Sequence, residues 1–313
     1  MTQPAAHTRT FDSFDGLKRF FYCVGAQKTA TTWLYVMLRH HPDCHMAPTK
    51  EVRFWDNFRR EGGNPYAPGA AARWAEMSRE QLRDAARRLQ LQKLPEAFAE
   101  KKRADAFSDL VANPSIAAYV EFVMMGYKGQ AVAGEMTPAY ALLESAVFAE
   151  MAELHPDSRF IFIMRDPVDR LWSGVRHRHK LDARDKGIAV ESDGLLASFE
   201  TAVEDGDNVA LAQSDYTRTI RKLEAAVPRD RILYLFYETL FEQDELARLK
   251  DFLGFEEMPV DSDQRYNVGI SQELELPQPL RARARRVLAP VYEFASDRFG
   301  DDLPREWHQL DAA

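Results

Sequence analysis

Two short segments carry side chains suited to gripping phosphate. The first is Gly25-Ala26-Gln27-Lys28-Thr29-Ala30-Thr31-Thr32, which follows an aromatic and β-branched run and precedes a stretch with helical apolar spacing. That succession predicts a strand, a tight loop and a helix N-terminus, where backbone N–H groups and the positive helix end converge on one point that suits an anion. Small residues let the chain wrap closely, Lys28 adds a full charge, and the three threonines add hydroxyl donors. The second segment is Arg165-Asp166-Pro167-Val168-Asp169-Arg170-Leu171-Trp172-Ser173. Arg165 falls at the carboxyl end of a predicted strand, where open α/β sheets bind ligands, and its planar fork matches phosphate geometry. Ser173 lies about 12 Å further on if the segment is wholly helical. For both to hold one phosphate, a bend after Pro167 is expected.

Each segment has a plainer reading. The octet is also compatible with an ordinary strand-to-helix turn bearing a solvent-facing lysine. Arg165 could pair with Asp166 or Asp169 while Ser173 faces water. A Walker A loop needs G-x-x-x-x-G-K-[ST], and no glycine stands directly before Lys28. A standard NTPase is therefore disfavoured.

Alternating strands and helices position these segments. Strands are expected at Phe20–Val24, Ala131–Glu135, Phe160–Met164 and Ile232–Phe236, the third being strongly apolar. Helices are expected at Thr31–His41, Glu144–His155, Val168–Leu181, Thr217–Ala226 and Asp244–Leu253. Pro279–Phe299 reads as a last helix interrupted at Pro290. Gly62–Gly69 reads as a loop, Ser78 with Gln81 as the opening of a helix to about Lys93, and Asn113-Pro114 as the start of another that stops at Gly126. The whole predicts one α/β domain over 1–313, a P-loop-like three-layer fold with a mainly parallel sheet flanked by helices and a mainly helical insertion at about 62–126.

The bulk composition fits. Of 313 residues, 45% are apolar and 29% charged, enough to bury a core. A net charge of -8 argues against wholesale binding to nucleic acid or an anionic membrane. Two cysteines, Cys23 and Cys44, cannot build a secreted disulfide framework, so a reducing cytoplasm fits. The polar opening and the absence of a long apolar run predict neither a signal peptide nor a membrane span.

Taken together, the two phosphate segments resemble those of sulfotransferases that use 3′-phosphoadenosine 5′-phosphosulfate (PAPS), especially the branch that includes the heparan sulfate sulfotransferases. In that family a G-x-x-K-[ST]-[GA]-T loop holds the 5′-phosphosulfate, matching Gly25, Lys28, Thr29, Ala30 and Thr31. An R-D-P-x-x-R-x-x-S segment holds the 3′-phosphate, matching Arg165 and Ser173. Lys50-Glu51-Val52-Arg53-Phe54-Trp55-Asp56 is similar to the K-E-x-x-F-F segment that brings a catalytic glutamate to the acceptor hydroxyl. Gly134-Glu135-Met136-Thr137-Pro138-Ala139-Tyr140 is similar to a run lining the acceptor side, and Tyr237-Glu238 to a pair that follows a late strand. Arg53 stands where histidine is frequent, and Ala30 where glycine is commoner. Alanine there costs little only if the backbone is right-handed. Asn267-Val268-Gly269 stands where the family closes a basic glycine loop over the nucleotide.

The resemblance implies an enzyme that converts PAPS to 3′-phosphoadenosine 5′-phosphate (PAP) with no metal. Its acceptor would be a small molecule or glycan bearing a hydroxyl or amine. The implied roles are Lys28 on the leaving oxygens, Ser173 as a restraint on Lys28, Glu51 as the general base, and Arg53, Trp55, Glu135 and Tyr140 at the acceptor. His45, His177 and His179 are rivals to Glu51. The competing classes are a P-loop nucleotide or small-molecule kinase and a nucleotide-binding protein without turnover.

Overall fold

The computed structural model describes residues 11–58, 66–88, 90–188, 191–258 and 274–308. Five strands, β1 (Arg19–Gly25), β2 (Cys44–Met46), β3 (Val132–Met136), β4 (Ser158–Met164) and β5 (Ile232–Phe236), pair in parallel in the order β2-β3-β1-β4-β5. The four expected strands fall on β1, β3, β4 and β5. Only β2 was not anticipated: three residues centred on His45 carry no strand pattern, and pairing with β3 alone makes them one.

The helices are, in chain order, α1 (Thr31–Arg39), α2 (Phe54–Phe58), α3 (Tyr66–Arg87), α4 (Leu94–Ala112), α5 (Ile116–Val123), α6 (Ser145–Ala152), α7 (Pro167–Lys186), α8 (Ser192–Glu204), α9 (Val209–Ala212), α10 (Tyr216–Ala226), α11 (Gln243–Leu253), α12 (Gln278–Val287), α13 (Ala289–Phe299) and α14 (Arg305–His308). They cover both faces of the sheet, which is why its strands read as unbroken apolar runs. Phe20, Tyr22, Phe160, Phe162, Tyr234 and Phe236 point to one core, with Phe148 of α6, Ile220 of α10 and Tyr292 of α13. The intervening Phe21, Cys23, Ile161, Ile163 and Leu235 point to the other, with Trp33 and Leu34 of α1 and Leu249 of α11. Phe160 and Phe162 have no exposed surface, and truncating either to alanine costs about 3–5 kcal/mol.

The segment between β2 and β3 departs most from expectation. Helix α3 starts at Tyr66, inside the expected loop, because Pro68 and Gly69 occupy a first turn whose N–H groups need no helical partner. Ser78 does not cap a helix; it lies within α3, and its hydroxyl donates to the Ala75 carbonyl at 2.9 Å. Helix α4, which packs along α3, was not expected. The cap of α5 is Ser115, accepting from the Ala118 N–H, rather than Asn113. At the carboxyl end the chain breaks at Leu288, just ahead of Pro290, and so separates α12 from α13. Asn267-Val268-Gly269 and Gly62 lie outside the described residues. Among the described residues, no helix is long and apolar enough to cross a membrane.

The parallel pairing brings the ends of all five strands to one edge. The loops after β1, β2, β3 and β4 meet there, so residues as distant in sequence as Lys28, Glu51 and Arg165 become neighbours.

Candidate functional site

Gly25 ends β1 in a crowded position: a Cβ there would meet the Ala141 side chain at 2.9 Å, Phe162 at 3.1 Å and the Pro138 carbonyl at 3.2 Å. The Ala26 N–H still donates to the Ile163 carbonyl at 2.7 Å, which ties the loop's entry to β4. The chain then turns through two left-handed residues, Lys28 (φ 72) and Ala30 (φ 62), before α1 begins. Ala30 therefore takes the strained conformation and not the right-handed one, at a cost of about 1–2 kcal/mol. The three threonines do not all serve as outward donors. Thr29 is fully buried and donates its hydroxyl to the Ala26 carbonyl at 2.7 Å, bracing the loop from within. Thr31, Thr32 and Trp33 supply the first-turn N–H groups of α1, the orphan donors of any helix start. Gln27 is half-buried between Ala26 and Lys28.

Lys28 is surrounded by its own sign of charge. Burial holds its ammonium below the ordinary lysine range, and Arg176, Arg165, Lys50 and Lys180 push in the same direction. These cations come from the end of β4, from α7 and from the segment after β2, so the fold pays to collect them at one place. Glu51 is the acid in their midst, with an oxygen 3.0 Å from the Lys50 ammonium. His177 belongs to the same cluster: burial and Lys28 lower its pKa, and the Glu51 charge raises it. The other two histidines are occupied elsewhere, His45 against the Val123 carbonyl at 2.9 Å and His179 against the Ser198 hydroxyl at 3.2 Å.

Arg165 leaves the end of β4 with its carbonyl accepting from the Tyr216 hydroxyl at 2.8 Å and its guanidinium 4.6 Å above the Tyr237 ring. Neither suggested acidic partner takes it. Asp166 caps α7 by accepting from the Val168 and Asp169 N–H groups, each at 3.0 Å, and also accepts from the Tyr292 hydroxyl at 2.7 Å. Asp169 pairs with Arg281 at 2.8 Å. Glu238 accepts from the Asp166 N–H at 2.7 Å and so fastens the end of β5 to the start of α7. Arg165 lines a cavity of about 340 Å³ with Trp172, Arg176, Leu276, Gln278 and Arg281.

The expected bend after Pro167 is absent: α7 runs unbroken from Pro167, and the chain turns one residue earlier, at Asp166 (φ -38, ψ 122). Proline at the first helical position starts the helix instead of interrupting it. Ser173 is 9% exposed, and its hydroxyl makes no hydrogen bond among the described residues. It sits one turn before Arg176 and His177 on α7. Arg170 was overlooked in the sequence. It is fully buried, reaches Gln213 at 3.3 Å through one nitrogen, and leaves Nε and Nη2 without partners. Burial pulls its pKa down to about 10. Gly174 makes room for it, since a Cβ there would lie 2.2 Å from Nη2.

The residues suggested for the acceptor side divide. Arg53 is half-buried and bound to Asp56 at 2.6 and 3.0 Å. Trp55, Glu135 and Tyr140 have no exposed surface, so they present nothing to an acceptor and belong to the interior beneath the site. Their alternating apolar and polar types read equally well as a lining, and only burial separates the two cases. Burial pushes the Glu135 carboxyl up to about 7, against hydrogen bonds from Tyr119, Thr137 and Tyr140 that favour the charged form.

The geometry is that of a cationic site with Glu51 beside Lys50 and Glu275 in the lining of the Arg165 cavity. A family model described as "Sulfotransferase family" matches residues 21–259. A solved sulfotransferase from Alicyclobacillus acidocaldarius is similar in fold, with a TM-score of 0.61 at 19% identity over 92% of this chain and 98% of that one. A sulfotransferase domain from the Synechococcus PCC 7002 olefin synthase gives 0.49 at 17% identity over 95% and 100%. No curated protein matches the chain.

Proposed function

Because the chain belongs to the sulfotransferase family, we propose that it moves a sulfuryl group from PAPS to a hydroxyl or amine of an acceptor, a small molecule or a glycan. The observation that carries this reading is the convergence of Lys50, Arg165, Arg176 and Lys180 on the partly buried Lys28. A donor with a phosphosulfate and a separate phosphate supplies several negative charges to such a cluster, and a lone phosphate does not. The donor set fits the group: a lysine and the free amides of a helix start for one phosphate, an arginine with a cavity beside it for the other.

Bound PAPS supplies an activated sulfuryl group whose leaving oxygen belongs to a phosphate. Lys28 holds that oxygen, where negative charge grows as the S–O bond breaks, so its cation is worth more in the transition state than before it. Glu51 takes the proton from the acceptor as the new bond to sulfur forms, and the electron pair of the breaking bond stays with the phosphate. Arg165 anchors the distant phosphate. His177, beside both Lys28 and Glu51, is the alternative base.

Calorimetry with PAP tests the donor half. Stoichiometric binding of PAP, weaker at high salt and indifferent to magnesium, is expected. Binding of ATP with magnesium and none of PAP would point to a kinase instead.

A further inference from the structure

Beneath the loop that carries Glu51 lies a closed set of hydrogen bonds centred on Glu135. The loop itself holds two non-glycine residues at positive φ, Glu51 (64) and Arg53 (56). Backbone of this kind persists only where the surroundings over-determine it. What fixes them is the capture of every second N–H. Glu51 donates to the Met136 carbonyl at 2.9 Å, Arg53 to the Thr137 hydroxyl at 3.4 Å, and Trp55 to the Tyr140 hydroxyl at 3.3 Å. Phe54, between them, stacks on Tyr119 with ring centres 4.6 Å apart.

A hydroxyl has one proton, so it accepts from the backbone with a fixed orientation only if that proton has a settled destination. Here the destination is shared. Thr137 donates to Glu135 at 3.0 Å, Tyr140 donates to it at 3.1 and 3.4 Å, and the Tyr119 hydroxyl donates to it as well. In its ionised form the carboxylate accepts all three, having no proton of its own. We propose that Glu135 is a positioning residue for sulfuryl transfer: through Thr137, Tyr140 and Tyr119 it orients the loop of residues 51–55 and so aims the Glu51 carboxylate. This rests on the reading of Glu51 as the base. The glutamine amide is no substitute, since its NH₂ faces hydroxyls that already donate, and at least one link must reverse.

The test uses the full chain and three variants, Glu135→Gln, Thr137→Val and Tyr140→Phe, the last two each deleting one hydroxyl in case the first fails to fold. Hydrogen exchange is read at the amides of residues 51–55, PAP binding by calorimetry, and PAP release from PAPS with water as acceptor, in both wild-type and Glu51→Gln backgrounds. Removing a link worth about 1 kcal/mol should speed exchange at the amide it held by roughly five- to tenfold and slow PAP release by about as much, with PAP affinity changed less than about twofold. In the Glu51→Gln background the same change should slow release by less than about twofold, because residues acting through one group are not additive. Unchanged exchange in all three variants overturns the proposal, as does an equal rate loss in both backgrounds. Failure of the wild type to bind PAP would remove the donor reading alone, and the exchange result would still decide whether Glu135 holds the loop.

Discussion

Glu135 makes the stability of the fold depend on pH in a direction opposite to most salt-bridged carboxylates. Its carboxyl is fully buried, and burial lifts it from an ordinary 4.5 to about 7. A folded pKa above the unfolded one means that the folded state holds this proton more tightly, so the stabilising contribution is complete below about pH 4.5 and is lost as pH rises through about 7. The difference amounts to on the order of 3 kcal/mol, a large part of the stability of an ordinary domain. Other buried groups titrate nearby: burial lowers His45 and His155, which therefore act in the opposite sense. The measurement is accordingly a difference. Urea unfolding of wild type and Glu135→Gln between pH 4.5 and 8 should give a stability difference, wild type minus variant, that falls by on the order of 3 kcal/mol across the window. A flat difference, or one that rises with pH, would refute burial as the dominant influence on this carboxyl.

Three further outcomes are expected. Lys28→Ala should cost about 100-fold or more in turnover and much less in donor affinity, whereas Arg165→Ala should chiefly weaken PAP binding; steady-state rates and calorimetry separate the two. Ala30→Gly relieves a left-handed alanine and should raise stability by about 1 kcal/mol in urea unfolding, with no gain if the loop pays the same amount in added freedom. Cys23 is buried, with its thiol pushed up to about 12, and Cys44 is raised further still, so neither should react with a thiol reagent until the chain unfolds.

Much of this fold was legible because buried parallel strands announce themselves. Phe160 to Met164 could hardly be anything else, and Arg165 follows from where that strand ends. The loop at Gly25 was equally plain, since Lys28 and a row of small residues stand between a strand and a helix. What escaped depends on contacts distant in sequence. His45 is in a strand only because β3 lies beside it, and α3 begins at Tyr66 because a helix start tolerates Pro68 and Gly69. The left-handed backbone at Lys28, Ala30, Glu51 and Arg53 leaves no trace in residue type, because none of them is glycine. Glu135 and Tyr140 looked like lining residues for the same reason that they look like core: a polar side chain in a strand shows that it needs a partner, and not whether that partner is a ligand or the neighbouring loop.

The central claim is sulfuryl transfer from PAPS, and product analysis meets it directly. Incubation of the protein with PAPS and pooled metabolites and glycans, followed by mass spectrometry, should reveal a product heavier by one sulfuryl group together with PAP in equal amount, both lost in Lys28→Ala. Binding of PAPS with no sulfated product from any acceptor, or an equal yield from Lys28→Ala, would contradict the account.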